Sequence, residues 1–364
     1  MADRIETTHF IDEIIGSTYP TDAAEILSAP IIKYLKRKTN SVGANAKARS
    51  SFANIYAIYV LVEDYIQKGY MEEGRNYSEY EGADFTPLLI RQRQLPFGSK
   101  LQNHALNNRL NHEFEKFHDI TPILINSAAS KYRFNEDLLI VNGKNIAPEI
   151  IKIIEAYIVL KSEKFEAFFE RCKEIAEAYN EDPQTAISFV KQQLEPSVDA
   201  RIFEIVSFCI IKYAYIDQTV YFGTSIDNLQ SYNLVLYKTG RTNANDGGID
   251  FIMKPLGKVF QVTEDLNFKK YFLDIDKLNK FPITFVVKTA LDVEEIMKLI
   301  KKGAKQQFDD KEVINKYLNS FEGIINIPKL HHYLEIVIRE GNLNRLLEEL
   351  IIQCKVEYNI SDTD

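Results

Sequence analysis

The chain has 364 residues, 45% hydrophobic and 26% charged, with 44 Lys and Arg against 52 Asp and Glu for a net charge of −8. That length allows two or three domains with cores of their own, and this balance of apolar and charged residues excludes a disordered chain. No apolar run approaches the roughly 20 residues of a membrane span, and the opening MADRIETTHF is too polar for a secretory signal, so a cytoplasmic protein with no membrane partner is expected.

Taken in chain order, residues 51–68 (SFANIYAIYVLVEDYIQK) carry apolar side chains on most faces and predict a buried helix. Strand signals are few before residue 196; the best is 137–141, followed by an Asn142-Gly143 turn. Residues 148–179 predict a long helix, or two, with Pro148 near the N-terminus. A further helix over 182–194 opens on Asp182-Pro183 and ends at Glu195-Pro196. From Pro196 the pattern changes. An apolar helix over 199–213 precedes β-type runs at 233–237 (NLVLY), 249–253 (IDFIM), 259–263 (VFQVT) and 283–288 (ITFVVK), and helix returns from 293. The expected class is α+β: a mainly helical domain over 1–195, an α/β core over 196–291 and a helical segment over 292–364.

Cys172, Cys209 and Cys354 have neither zinc nor redox spacing and read as isolated thiols. His331 and His332 are adjacent and would point to different faces of a helix, so no histidine metal motif is expected. The acids are unevenly spread. None occurs over 26–62, 85–112 or 228–245, windows that hold Lys36, Arg37, Lys47 and Arg49, then Arg91, Arg93 and Arg109, then Arg241. In an acidic chain such windows point to a face kept clear for an anion.

The densest chemistry lies in 243–265, NANDGGIDFIMKPLGKVFQVTED. Asp246-Gly247-Gly248 reads as a turn, 249–253 as a strand, 254–257 as a hairpin turn and 259–263 as the return strand. Alternation puts Gln261 and Thr263 on one face, and hairpin pairing brings Asp250 beside them. A carboxylate, an amide and a hydroxyl would then converge at one end of a sheet, an oxygen-rich set suited to Mg2+. Asp250 is the expected principal ligand, with the Val262 carbonyl and the Gln261 amide oxygen beside it.

DGGID, a short hairpin and FQVT, with Phe203-Glu204 in the upstream helical run ARIFEIVSFCIIKYAYI, resemble the PD-(D/E)xK nucleases, closest to their Mrr-like branch. The resemblance covers about 201–288. It implies a restriction-endonuclease-like core that hydrolyses DNA with Mg2+, and gives Glu204 an accessory role as a metal or water-orienting carboxylate. The chain departs from the pattern at Thr263, where the family carries a lysine that orients the attacking water. Lys238, Lys254, Lys269 and Lys270 are the candidates to replace it, with Lys269 or Lys270 favoured because both follow the return strand.

Two N-terminal segments fit contact with double-stranded DNA. The run 36–49 (KRKTNSVGANAKAR) is basic and Gly-containing and suits phosphates; 91–112 (RQRQLPFGSKLQNHALNNRLNH) is rich in the Arg, Gln and Asn that pair with base edges, with a loop expected at Pro96-Phe97-Gly98. Arg241 leads into the Asp250 segment and would grip a phosphate or a base. The expected function is that of a type II restriction endonuclease, a homodimer with a companion DNA methyltransferase as genetic partner. The rivals are a methylation-dependent or repair nuclease of the same fold, and a catalytically degenerate DNA-binding protein.

Overall fold

Among the described residues the chain opens with helices α1 (Phe10–Thr18), α2 (Ala23–Ser28), α3 (Pro30–Thr39) and α4 (Ala48–Gln67). The computed structural model describes residues 10–39, 48–72, 74–98, 101, 103–239, 249–264 and 268–358. α4 is the expected buried helix: every residue from Phe52 to Val62 is buried, so its apolar faces serve as the centre of a helical cluster rather than as one stripe. After α4 come β1 (Ala83–Asp84), α5 (Phe85–Gln94), a π-helical turn at Ala105–Arg109 and α6 (Leu110–Phe114). The expected turn at Pro96-Phe97-Gly98 is present, with Phe97 at φ +61°. A Cβ at Gly98 would come within 2.1 Å of the Gln92 carbonyl oxygen, so the close approach there requires glycine.

Strands β2 (Ile123–Asn126) and β3 (Lys131–Phe134) form a hairpin that joins β1 in the order β1-β3-β2. The sequence reading missed this sheet, whose strands are only two to four residues long and give too short a pattern to stand out. The 137–141 signal splits into a 3-10 turn at Glu136–Leu138 and a two-residue strand β4 (Ile140–Val141), paired with β5 (Lys144–Asn145). Asn142 and Gly143 both have positive φ, as a type I′ turn requires.

The chain then enters one helix, α7 (Ala147–Ala178), followed by α8 (Pro183–Gln192), whose N-cap Asp182 accepts from Thr185 N at 3.1 Å. Contacts divide the chain into two compact units, residues 1–167 and 168–364. This differs from the expected boundary at 195/196, and no third unit begins at 292.

In the second unit α9 (Ala200–Tyr215) is buried nearly all round, and its N-cap Asp199 accepts from Arg201 N at 2.8 Å. Next come β6 (Thr219–Phe222), β7 (Gln230–Asn233), β8 (Val235–Lys238), β9 (Phe251–Lys254) and β10 (Lys258–Thr263). The expected single strand over 233–237 is broken at Leu234, whose N–H turns to the Gln218 carbonyl, and β7 pairs with β6 instead. Helix α10 (Phe268–Lys277) leads to β11 (Ile283–Val287); α11 (Val293–Gln307) and α12 (Lys311–Asn319) lead to β12 (Phe321–Ile325). Helices α13 (Ile327–Arg339) and α14 (Leu343–Tyr358) end the described chain and pack on α9.

The sheet order is β12-β11-β10-β9-β8. β8, β9 and β10 are antiparallel neighbours; β11 and β12 add in parallel. Helical crossovers make the parallel pairings possible, and β11, central among them, is buried at all five positions. The molecule is therefore mixed α+β. The C-terminal segment supplies an edge strand and two core helices to the sheet unit, which is why it does not stand apart; β12 was overlooked because FEGII is short and holds a glycine.

Candidate active site

Asp250 lies just before β9, and its backbone is fixed on both sides. Its N–H donates to the Phe260 carbonyl at 2.9 Å, and its carbonyl accepts from Thr239 N at 2.9 Å and Thr239 Oγ1 at 3.1 Å. Phe260 is already the register partner of Phe251, so Asp250 and Phe251 both face one residue of β10. This two-against-one arrangement is that of a β-bulge, which re-aims a side chain at the end of a ladder. The bulge is why the strand begins at Phe251 rather than at Ile249. It turns the Asp250 carboxyl to the backbone of β10, where Oδ2 accepts from Val262 N at 2.7 Å.

The carboxyl sits among protein atoms on nearly every side, though the residue keeps a partly exposed edge. Burial, followed by the charge of Glu204, pushes its pKa from 3.8 up to about 8; the Val262 N–H, Arg201 and Lys270 pull the other way without prevailing. Glu204 comes from α9, as the upstream Phe-Glu pair led one to expect. Its two oxygens accept from Arg201 Nη1 at 2.7 Å each, and Lys238 Nζ lies 3.5 Å from it. Arg201 also binds Glu357 through Nε at 2.7 Å. Glu204 is thus a carboxylate held by two cations beside Asp250, an acceptor already engaged rather than an open ligand.

Gln261 and Thr263 share a face of β10, opposite Phe285 and Val287 of β11 in register. Gln261 Oε1 is buried with no hydrogen-bond donor among the described residues, while its Nε2 donates to the Val262 carbonyl at 3.3 Å. Thr263 is buried, and Lys270 of α10 donates to its Oγ1 at 3.3 Å. Lys270 therefore delivers an ammonium to the strand position where the resemblance expects a lysine. Of the other candidates, Lys238 is spent on Glu204, and Lys254 stands over the Tyr237 ring at 5.4 Å. Glu264, beyond Thr263, pairs with Lys288 at 3.2 Å, and Lys288 also donates to the Val198 carbonyl.

The residues expected to contact DNA are mostly engaged within the first unit. Arg91 is held by Glu63 through two bonds of 2.8 and 2.7 Å, Arg93 Nε donates to the Leu101 carbonyl at 3.0 Å, and Lys36 pairs with Asp12. Arg37 and Arg109 differ: both line one cleft. The segment expected to read bases is helical at both ends, with the expected break at Pro96-Phe97-Gly98 between them. Lys47, Arg241 and Asp246 lie outside the described residues, as do the side chains of Arg49 and Lys269.

The donors near Asp250 suit magnesium in kind: a carboxylate, the undonated Gln261 Oε1 and the Val262 carbonyl are hard oxygens. They fit an ion held by few protein groups. Among the described residues no three acids, histidines or cysteines gather to hold a metal alone, and magnesium typically completes its shell with water and substrate phosphate. The sequence reading missed Arg201, although its i,i+3 spacing to Glu204 was a usable signal. It also missed the Lys288–Glu264 pair, whose members are 24 residues apart and meet only through the parallel β10–β11 pairing. Compared with known proteins, the chain matches no family model, no curated protein and no solved structure.

Proposed function

We propose that this chain is a metal-dependent DNA endonuclease of the PD-(D/E)xK type, and within that class a type II restriction endonuclease. The observation that carries the reading is the meeting of Asp250, Thr263 and Lys270 at the end of β10. A bulge aims the aspartate, a strand presents the hydroxyl, and a helix supplies an ammonium, each where DGGID…QxT resembles the nuclease motif. A mixed sheet with helical crossovers is also the kind of α/β core the resemblance implies.

The proposed chemistry is phosphodiester hydrolysis. Mg2+ would be held by Asp250 with Gln261 and would polarise the scissile phosphate and lower the pKa of a bound water. The chain's own residues do the rest. Asp250 must ionise, and an incoming cation favours that by offsetting the cost of burial. Lys270, held by Thr263, orients the attacking water and offsets charge on the phosphate. Arg201 and Lys238 neutralise Glu204, so its charge does not bar an anionic substrate. Double-stranded DNA is the proposed partner, with a homodimer cutting both strands of a symmetric site, a companion methyltransferase protecting host DNA and a cytoplasmic location. Among the described residues no helix is long and apolar enough to cross a membrane.

A second reading, a DNA-binding protein with a degenerate nuclease site, draws on the engagement of Glu204 by its own helix. Cleavage of supercoiled plasmid and of genomic DNAs, with and without Mg2+, tests both. Discrete Mg2+-dependent fragments that vanish with Asp250→Ala are expected. DNA binding with no cleavage in Mg2+ or Mn2+ would overturn the enzyme reading and leave the second.

A further inference from the structure

The first unit contains a cleft of about 860 Å3 that brings together two segments far apart in sequence. Arg37 comes from the end of α3, Asn107, Asn108 and Arg109 from the π-helical turn, and Lys116 and Phe117 from just beyond α6. The volume lies within the roughly 300–1,000 Å3 of small-molecule sites and suits a ligand of nucleotide size. A π-helical turn is uncommon, and such turns occur frequently at functional sites.

The charge is unbalanced. Glu113, the carboxylate in the lining, is tied down by Asn54 Nδ2 at 2.7 Å and by Lys38. Arg37, Arg109 and Lys116 form no ion pair among the described residues. Among the described residues Arg37 Nη2 is buried without an acceptor, a deficit that favours a ligand able to supply one. The Arg37 guanidinium also lies 3.5 Å from the centroid of the Phe117 ring, while Phe117 remains 55% exposed. The result is a flat aromatic surface with one face covered by a cation, beside exposed Asn108 and half-exposed Asn107. Asn107 Oδ1 accepts from Tyr132 at 3.4 Å, so its amide group is oriented.

We infer that this cleft is a nucleotide-binding site, taking a phosphate on Arg37, Arg109 and Lys116 and a base stacked on Phe117 with its edge toward the amides of Asn107 and Asn108. The chemistry asks for all three parts. Cations alone recognise any polyanion; an aromatic platform adds stacking that every base can use; carboxamides add the paired donor and acceptor that base edges present. A base inside a duplex offers no face to Phe117. The ligand is therefore an unstacked nucleotide, either in a nucleic acid strand or free. This goes beyond the nuclease reading and does not depend on it.

The test is equilibrium binding by the full-length protein without divalent metal, so that no cleavage intervenes. The probes are a fluorescent 12-nucleotide single strand, the matching duplex, dAMP and inorganic phosphate. The strand is expected to bind more tightly than the duplex. Phe117→Ala should weaken strand binding about five- to a hundredfold with no change in salt dependence. Arg109→Ala and Lys116→Ala should each reduce the salt slope by about 0.7. If dAMP binds with the same sensitivity to Phe117→Ala while the strand does not bind, the nucleotide site stands and its ligand is free. Equal binding of strand and duplex with Phe117→Ala silent would overturn the inference, as would phosphate competing as well as dAMP. All three side chains are exposed, and unchanged thermal unfolding of the variants confirms that folding is not the cause.

Discussion

The most discriminating consequence of the site concerns protons. With its pKa near 8, Asp250 is about nine-tenths protonated at pH 7. A divalent cation binds the ionised form, so binding must expel that proton. Between pH 5 and 7 the apparent affinity for Mg2+, or for Mn2+ as a tighter probe, should rise about tenfold per pH unit and level off above pH 8. Isothermal titration at pH 7 in two buffers of different ionisation enthalpy should show release of about 0.9 proton per ion, falling to about 0.1 at pH 9. The stability of the metal-free protein gives the same group a second readout. Its folded pKa lies above the unfolded 3.8, so its contribution is fully present below that value and is lost as pH rises through about 8. Asp250→Asn should abolish the proton release and flatten this fall in stability. Metal binding with no proton release at pH 7, or release that persists in Asp250→Asn, would refute the assignment of Asp250 as the ligand.

Three further outcomes follow from the geometry. Lys270→Ala should slow single-turnover DNA cleavage by about two to three powers of ten, the usual effect of removing a preorganised charge, with DNA affinity nearly unchanged, whereas Lys254→Ala should stay near wild type; the reverse ranking would show that another cation fills the role. Asp250→Ala should reduce cleavage to a few per cent or less while urea unfolding at pH 8 shows no loss of stability, and retained cutting would remove the site altogether. Arg201→Ala strips the shared cation from Glu204 and Glu357 in a buried setting, so urea unfolding should reveal a loss of about 3–5 kcal/mol; a loss under about 1 kcal/mol would mean that water already screens the pair.

What could be read from the sequence was what local chemistry determines. The buried helix α4, the Asp182 cap, the Asn142-Gly143 turn and the β9–β10 hairpin rest on residues close together in the chain. Asp250 stood out through its place in the strand and Glu204 through the resemblance, and the two carboxylates lie close enough for the charge of one to shift the other. Alternation alone could not place Asp250, because this residue just before β9 is set by its own bonds to Phe260 and Val262 of β10. The same limit left the replacement lysine open among four candidates. Lys270 of α10 is the one whose contact with Thr263 the structure shows. Arg91 and Lys36 looked available for DNA because the windows around them hold no acid. Their partners, Glu63 and Asp12, lie at a distance in sequence, and a local charge count cannot see them.

The electrostatics of the sheet unit have one logic. Two carboxylates, Asp250 and Glu204, are brought close under cover, and both cannot be charged there without compensation. The fold resolves the conflict asymmetrically. Glu204 receives Arg201 through two bonds of 2.7 Å and Lys238 at 3.5 Å. Asp250 receives one backbone N–H and only the more distant influence of Arg201 and Lys270, and burial raises its pKa to about 8. Among the described residues Arg201 and Lys238 make direct contact with Glu204, and no cation does so with Asp250. On the nuclease reading, an approaching metal ion would be the charge that completes the pair. A residue merely decorating a strand end would gain nothing from such an arrangement, since a solvated carboxylate needs no compensation.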